Sequence, residues 1–207
     1  MKLLLATANP AKVKDFRILL ADLPLDLVTP NDVGITESPK ETGKTFEENA
    51  RLKAEWYMKK SGLPALADDG GLEIDALGGM PGVYSRRWPL LKTGEDREAT
   101  DEEMIAYTLE AVKGLPVEKR GAHMKVILAL ATLDGKIIIG AGDLVGYIAK
   151  KVLGKPQKQF PFREILFITE CNKYYGEFTE DDHKRYNQRV EALEPIKQYL
   201  QSIIHNS

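Results

Sequence analysis

Leu3-Leu4-Leu5-Ala6 is an unbroken apolar run, the pattern of a strand buried on both faces. Thr7-Ala8-Asn9-Pro10 interrupts it, and Val13, Phe16, Leu19 and Leu20 then recur on one helical face. Such a strand–loop–helix opening aims the first N–H groups of a helix, and the positive end of its dipole, at whatever occupies the loop. Thr45-Phe46-Glu47-Glu48 has the spacing of a capping box and predicts a second helix. Phe46, Ala50, Ala54 and Tyr57 would face inward, and Gly62 would stop it. A short strand over residues 63–67 follows. Asp68-Asp69-Gly70-Gly71 then reads as a strand end, 72–77 as a further strand and 78–82 as a loop.

Thr100-Asp101-Glu102-Glu103 is a second capping box, opening a helix with Ile105, Leu109 and Val112 inward and Gly114 as its stop. Residues 126–132, 136–141 and 144–149 alternate as strands, with turns expected at Asp134-Gly135 and Gly142-Asp143. The tail is helical. Thr179 and Asp182 can cap it, Ile196, Leu200 and Ile203 share a face, and Pro195 predicts a kink or restart. Helices mixed with strands, and hairpins in the second half, give the α/β class with a mixed sheet in two lobes.

The net charge of −2 over 207 residues removes any global basic field for a nucleic-acid polymer. No stretch approaches the roughly 20 apolar residues of a membrane span. Cys171 is the sole cysteine, so no internal disulfide can form, and a reducing, cytoplasmic setting is expected.

Asp68 and Asp69 are adjacent carboxylates, and adjacent like charges resist joint ionisation unless a cation is present. Hard oxygen donors with no His or Cys nearby suit Mg²⁺, with Mn²⁺ as the alternative. Asp-Asp-Gly is equally ordinary turn chemistry. Lys12 at a helix start, Lys53 one turn after Asn49, and the Arg86-Arg87 pair are cationic positions of the kind that hold a polyphosphate. No P-loop occurs, and His123, His183 and His205 lack ligand spacing. With no nucleophile signature, metal-assisted attack of water on phosphorus is the chemistry that remains.

The linear arrangement goes further. Thr7-Ala8-Asn9-Pro10-Ala11-Lys12 resembles the TxNxxK opening of the inosine triphosphatase family, the Ham1-like pyrophosphatases of noncanonical purine nucleoside triphosphates. The segment from Glu41-Thr42-Gly43 to Lys53-Ala54 resembles that family's ETGxTFEENAxxKA, and Asp68 to Arg87 its DDSGL…GxPGVxSAR. The likeness is strong to residue 87, fair to about 150 and poor beyond, so the chain reads as a divergent member. The resemblance implies one domain over 1–207, elongated and two-lobed, with a long mixed sheet flanked by helices and a central nucleotide cleft. It implies a homodimer that cleaves ITP, dITP or XTP to a monophosphate and pyrophosphate. Glu41 and Asp69 would hold the metal, with Asp68 assisting, and Asp69 would be the general base. Thr7, Asn9, Lys12 and Lys53 would bind the triphosphate. Gly70, Arg87, Phe162, Gln188 and Arg189 would complete the substrate contacts.

Several positions depart from the pattern. Gly70 replaces the serine after the two aspartates, Asp15 replaces a glutamate, and Arg86 stands where alanine is usual, leaving Arg87 as the matching arginine. The base-reading loop becomes Phe160-Pro161-Phe162-Arg163-Glu164, its aspartate missing or displaced to Glu164, and the SHR element becomes Asn187-Gln188-Arg189. Phe160 or Phe162 remains as an aromatic to stack on a base, and the Gln188 amide has both a donor and an acceptor. These changes leave two alternatives open: the same reaction on another base, and a nucleotide-binding protein without hydrolysis.

Overall fold

The computed structural model describes residues 1–91, 93–95, 97–153 and 158–204. His205 lies outside them. In chain order the regular elements are β1 (Lys2–Leu5), α1 (Pro10–Leu19), β2 (Asp26–Val28), α2 (Phe46–Ser61), β3 (Ala65–Ile74) and α3 (Asp101–Ala111), followed by β4 (Gly121–Ala131), β5 (Ile137–Ile148), β6 (Leu166–Ile168), β7 (Lys173–Tyr174), α4 (Glu180–Tyr186) and α5 (Gln188–Ile204). The strands form one seven-stranded sheet in the order β2-β1-β3-β4-β5-β6-β7. β1 is parallel to β2 and β3, whereas β6 is antiparallel to β5 and β7, so the sheet is mixed as expected.

The chain divides into two compact units. The first comprises Met1–Gly70, Val126–Gly142 and the chain from Lys184 on. It has three layers. Leu3, Leu5, Leu66, Val126, Leu128 and Leu130 pack against Phe16 and Leu19 of α1 and Ala192, Leu193, Ile196 and Leu200 of α5. Leu4, Ala6, Ala65, Ala67, Ala129 and Ala131 pack on the other side against Ala50, Ala54 and Tyr57 of α2. The odd–even alternation of strand side chains sorts these residues between the two faces. Small alanines on both sides of the second interface let α2 approach the strands closely.

The second unit comprises Gly71–Lys125 and Asp143–His183. Trp88 and Tyr107 meet edge to face there, and Arg86 pairs with Asp101 at 2.6 Å. Arg163 lies 3.7 Å from the Phe160 ring centre and 4.8 Å from that of Tyr175.

Both capping boxes form as the sequence predicts, at Thr45 with Glu48 and at Thr100 with Glu103. Two expectations fail, and of the kink or restart expected at Pro195 the restart does not occur. Asp68-Asp69-Gly70 does not end a strand, because β3 runs unbroken from Ala65 to Ile74 and a 3-10 turn, Asp75–Leu77, follows it. Gly142-Asp143 is not a turn but the middle of β5. Its glycines serve a packing need: a Cβ on Gly140 or Gly142 would fall on the carbonyl oxygen of Ala192 or Gln188, so α5 lies backbone to backbone on the strand. Pro195 starts no new helix. It sits inside α5, and the break falls at Asn187, whose side chain accepts the Arg189 N–H at 2.9 Å.

Candidate active site

β3 supplies the acids. Asp68 lies two residues after Leu66 and so shares the face turned to α1 and α5. Asp69 shares the face of Ala65 and Ala67, turned to α2. The two carboxylates therefore have separate counter-ions. Asp68 takes Lys12 Nζ at 3.0 Å on one oxygen and Arg189 Nη2 at 2.6 Å on the other. Asp69 takes Lys53 Nζ at 3.1 Å, and the same ammonium lies 3.2 Å from Glu41. Arg189 has a second carboxylate, Asp15 of α1, at 3.6 Å.

The helices hold these cations for local reasons. Asn9 is the N-cap of α1, with Pro10 at the first helical position, and its side-chain oxygen accepts the Ala11 and Lys12 N–H groups. Thr7 Oγ1 accepts the Asn9 N–H at 3.1 Å. Two of the N–H groups that such an opening would aim at a ligand are thus spent on Asn9, whose amide NH₂ remains as the donor on that side chain. Lys53 sits on the buried face of α2, and Arg189 is the second residue of α5.

The electrostatics differ sharply between the two acids. Burial alone would raise the Asp68 pKa, but Lys12, Arg189 and Lys53 outweigh it and hold the group well below the ordinary carboxylate range. Burial raises the Asp69 pKa, and Glu41 adds to the rise against the opposing pull of Lys53. Burial pushes Lys12 down, Asp68 only partly offsets this, and Lys53 and Arg189 push it further. For Lys53 burial also pulls down, but Asp69, Asp68 and Glu41 together raise it. Asp69 is thus the more basic of the two carboxylates, while Asp68 is an anion that gathers cations.

Glu41 and Asp69 both turn an oxygen to one ammonium, and two hard carboxylates on one cation suit a small divalent ion that completes its shell with phosphate oxygens and water. Among the described residues no group of three or more acidic, histidine or cysteine side chains is gathered for a metal. The two-carboxylate set fits an ion held jointly with a substrate. Asp68 has both oxygens on cations and supports the cluster through Lys12 and Arg189.

The remaining expected contacts lie on several elements. Gly70 is exposed on β3, and Gln188 is buried at the start of α5. Arg87 and Phe162 belong to the second unit: Arg87 lies in the 3-10 helix Gly82–Leu90, and Phe162 is buried in Pro161–Glu164. His123 lies between Asp143 at 2.8 Å and Asp75 at 3.3 Å, and His183 lies against the rings of Tyr175 and Phe178. Sequence reasoning missed the pairing of Asp15 with Arg189, which only its position one turn after Lys12 hints at.

Among solved structures the fold matches a HAM1 protein from Coxiella burnetii, with a TM-score of 0.82, 31% identity, and 98% of this chain and 99% of that one covered. The Ham1 protein of Staphylococcus aureus matches at a TM-score of 0.80 with 26% identity, covering 98% and 100%. The mixed sheet and its flanking helices are therefore an architecture that Ham1 proteins share. The Ham1 family profile matches residues 3–199, and the chain belongs to that family. It is 40% identical over 196 residues to a dITP/XTP pyrophosphatase of Thermus thermophilus, covering 95% of this chain and 90% of the relative. It is 35% identical over 199 residues to the dITP/XTP pyrophosphatase of Bacillus subtilis, covering 96% of each.

Proposed function

We propose that the protein hydrolyses noncanonical purine nucleoside triphosphates, dITP, ITP and XTP, to the monophosphate and pyrophosphate. The observation that carries this reading is the single Lys53 ammonium held between Glu41 and Asp69, beside the Lys12–Asp68–Arg189 cluster. Relatives of 35–40% identity bearing the name dITP/XTP pyrophosphatase support the substrate class.

Glu41 and Asp69 would hold Mg²⁺, or Mn²⁺. When bound, the metal supplies charge neutralisation at the phosphates. Lys12 and Lys53, with the Thr7 hydroxyl and the Asn9 amide, bind the triphosphate. Asp69 accepts a proton from the attacking water as the water oxygen bonds to the α-phosphorus. The α–β bridging bond breaks, and pyrophosphate leaves with the bridging oxygen. Gly70 offers backbone to the substrate where the family has a hydroxyl. Arg87, Phe162, Gln188 and Arg189 are assigned to the nucleotide, with Arg189 oriented by Asp15 and Asp68. The homodimer and the cytoplasmic setting belong to the same proposal. The single cysteine, and the lack of any helix among the described residues long and apolar enough to cross a membrane, are in keeping with that setting.

Pyrophosphate release with Mg²⁺ from ITP, dITP, XTP, GTP, dGTP and ATP tests the proposal. Preference for the deaminated purines by about a hundredfold, about 2.7 kcal/mol, is expected, and no release from any triphosphate would overturn it. A second reading is the same reaction on a different base, since Gln188 stands in the altered SHR element and an amide carries both a donor and an acceptor. Equal turnover of GTP or ATP in that panel would select it.

A further inference from the structure

Glu41 precedes α2 in an exposed polar segment, where a carboxylate would ordinarily wander. Its neighbours do not. The Gly43 N–H donates to Asn49 Oδ1 at 2.8 Å, and the Lys44 and Thr45 N–H groups donate to Glu48. Three successive backbone donors are thus consumed by two adjacent side chains in the first turns of one helix. For Thr45 this is the reciprocal half of the capping box, and the Lys44 N–H joins the same carboxylate.

Asn49 has no such local reason. It is a buried amide, 4% exposed, on the inward face of α2 among Phe46, Ala50 and Lys53. A polar group so placed is costly unless its bond is made. The fit at Gly43 is specific as well. A Cβ there would lie 2.6 Å from Asn49 Oδ1, 2.7 Å from Glu48 Cβ and 2.9 Å from the Asn49 nitrogen. The loop backbone therefore lies directly on the helix at a spot only glycine permits.

Asn49 and Lys53 are four residues apart on the same face. The first holds the backbone two residues after Glu41, and the second meets the Glu41 carboxylate at 3.2 Å and Asp69 at 3.1 Å. We infer that Asn49 is a positioning residue: by anchoring Gly43 to α2 it fixes where the Glu41 carboxylate stands opposite Asp69, and so sets the affinity of the pair for a divalent cation. This rests on the proposed metal-holding role of Glu41 and Asp69, and the two are separable by experiment.

The test uses the whole protein with Asn49→Ala, and Gly43→Ala as a second variant that attacks the same contact from the loop. Amide hydrogen exchange at residues 41–45 needs no turnover, and it should quicken at Gly43 in Asn49→Ala. Pyrophosphate release from dITP, titrated with Mg²⁺, should show half-saturation raised by about tenfold in both variants, the scale of one lost buried hydrogen bond. The KM for dITP at saturating Mg²⁺ should stay near that of the unmodified protein. A purely structural Asn49 would lower the melting temperature and leave the Mg²⁺ dependence of the folded fraction unmoved. Unchanged Gly43 exchange in Asn49→Ala, or unchanged Mg²⁺ half-saturation in either folded variant, overturns the inference. Absence of turnover in the unmodified protein would instead sink the functional reading, and the exchange measurement would still judge the anchoring.

Discussion

Asp68 and Asp69 are neighbours in sequence that point to opposite faces of β3, Asp68 to Lys12 and Arg189, Asp69 to Lys53. Each acid has its own cations, so the repulsion expected of an adjacent pair is relieved within the fold. The pleat of one strand thereby produces two carboxylates of different character.

This division predicts different outcomes for two conservative substitutions. If Asp69 is the proton acceptor and a metal donor, as proposed, Asp69→Asn should lower turnover by about 10²–10⁴-fold, the range for a general base. Stability should fall less than in Asp68→Asn, because burial and Glu41 disfavour the ionised Asp69 against the pull of Lys53, and Lys53 keeps Glu41 as a counter-charge. Asp68→Asn leaves the buried Arg189 with Asp15 alone, at 3.6 Å, and the partly buried Lys12 without its carboxylate, and should cost about 3 kcal/mol. Pyrophosphate assays and urea unfolding of both variants check the pair. A stable Asp68→Asn protein would contradict it.

The acid side of the stability profile follows from the same residue. The Asp68 pKa is depressed in the folded protein. Its contribution is therefore fully present above the unfolded carboxylate's ordinary 3.8, and it is lost as pH falls from there through the folded value. The urea midpoint of the unmodified protein should exceed that of Asp68→Asn by a constant margin above about pH 5. The margin should narrow steadily below about pH 4. A margin independent of pH would show that Asp68 acts by shape and not by charge.

Much of this was legible in the chain, and what escaped has a common cause. The capping boxes at Thr45 and Thr100 are local chemistry, spelled out within four residues, and both form. The acids and lysines could be ordered along the chain by family likeness, and the structure gathers Glu41, Asp68, Asp69, Lys12, Lys53 and Arg189 within the first unit. Asp68-Asp69-Gly70 was misread because its composition is that of a turn. Only the cations arriving from α1, α2 and α5 allow those charges inside a strand. Gly142-Asp143 misled for the same reason, since the glycine answers to the backbone of α5 and not to its own neighbours. Asp15 and Asn49 look unremarkable in sequence because their partners, Arg189 and Gly43, are identified only by the fold.

Metal withdrawal should separate activity from stability. Lys53 already bridges Glu41 and Asp69 and supplies a cation to the pair within the fold. Treatment with EDTA should abolish pyrophosphate release, and Mg²⁺ or Mn²⁺ should restore it. The melting temperature should be unchanged by the chelator in the unmodified protein. In Lys53→Met the two acids lose that ammonium, and there the addition of Mg²⁺ should raise the melting temperature. A chelator-induced drop in the unmodified protein would mean that the ion has a structural part that Lys53 does not fill.

The approach of α5 to β5 offers the last test. Gln188 and Arg189 reach their positions because Gly142 presents no side chain to the helix, and a Cβ there would overlap the Gln188 carbonyl oxygen. In Gly142→Ala the start of α5 must lift, at a cost of about 1–3 kcal/mol, as for other overpacked sites. The shift falls on Arg189, whose bond to Asp68 is short at 2.6 Å. The variant should therefore lose nucleotide affinity, seen as a raised KM, by more than its stability loss would suggest. Gly135→Ala serves as the control. Gly135 also resists a side chain, through its φ of +84° in the β4–β5 turn, but an added Cβ would meet nothing within 4 Å. It should lose stability by about 1 kcal/mol or more and leave KM unmoved. Equal KM changes in the two variants would detach α5 placement from substrate binding.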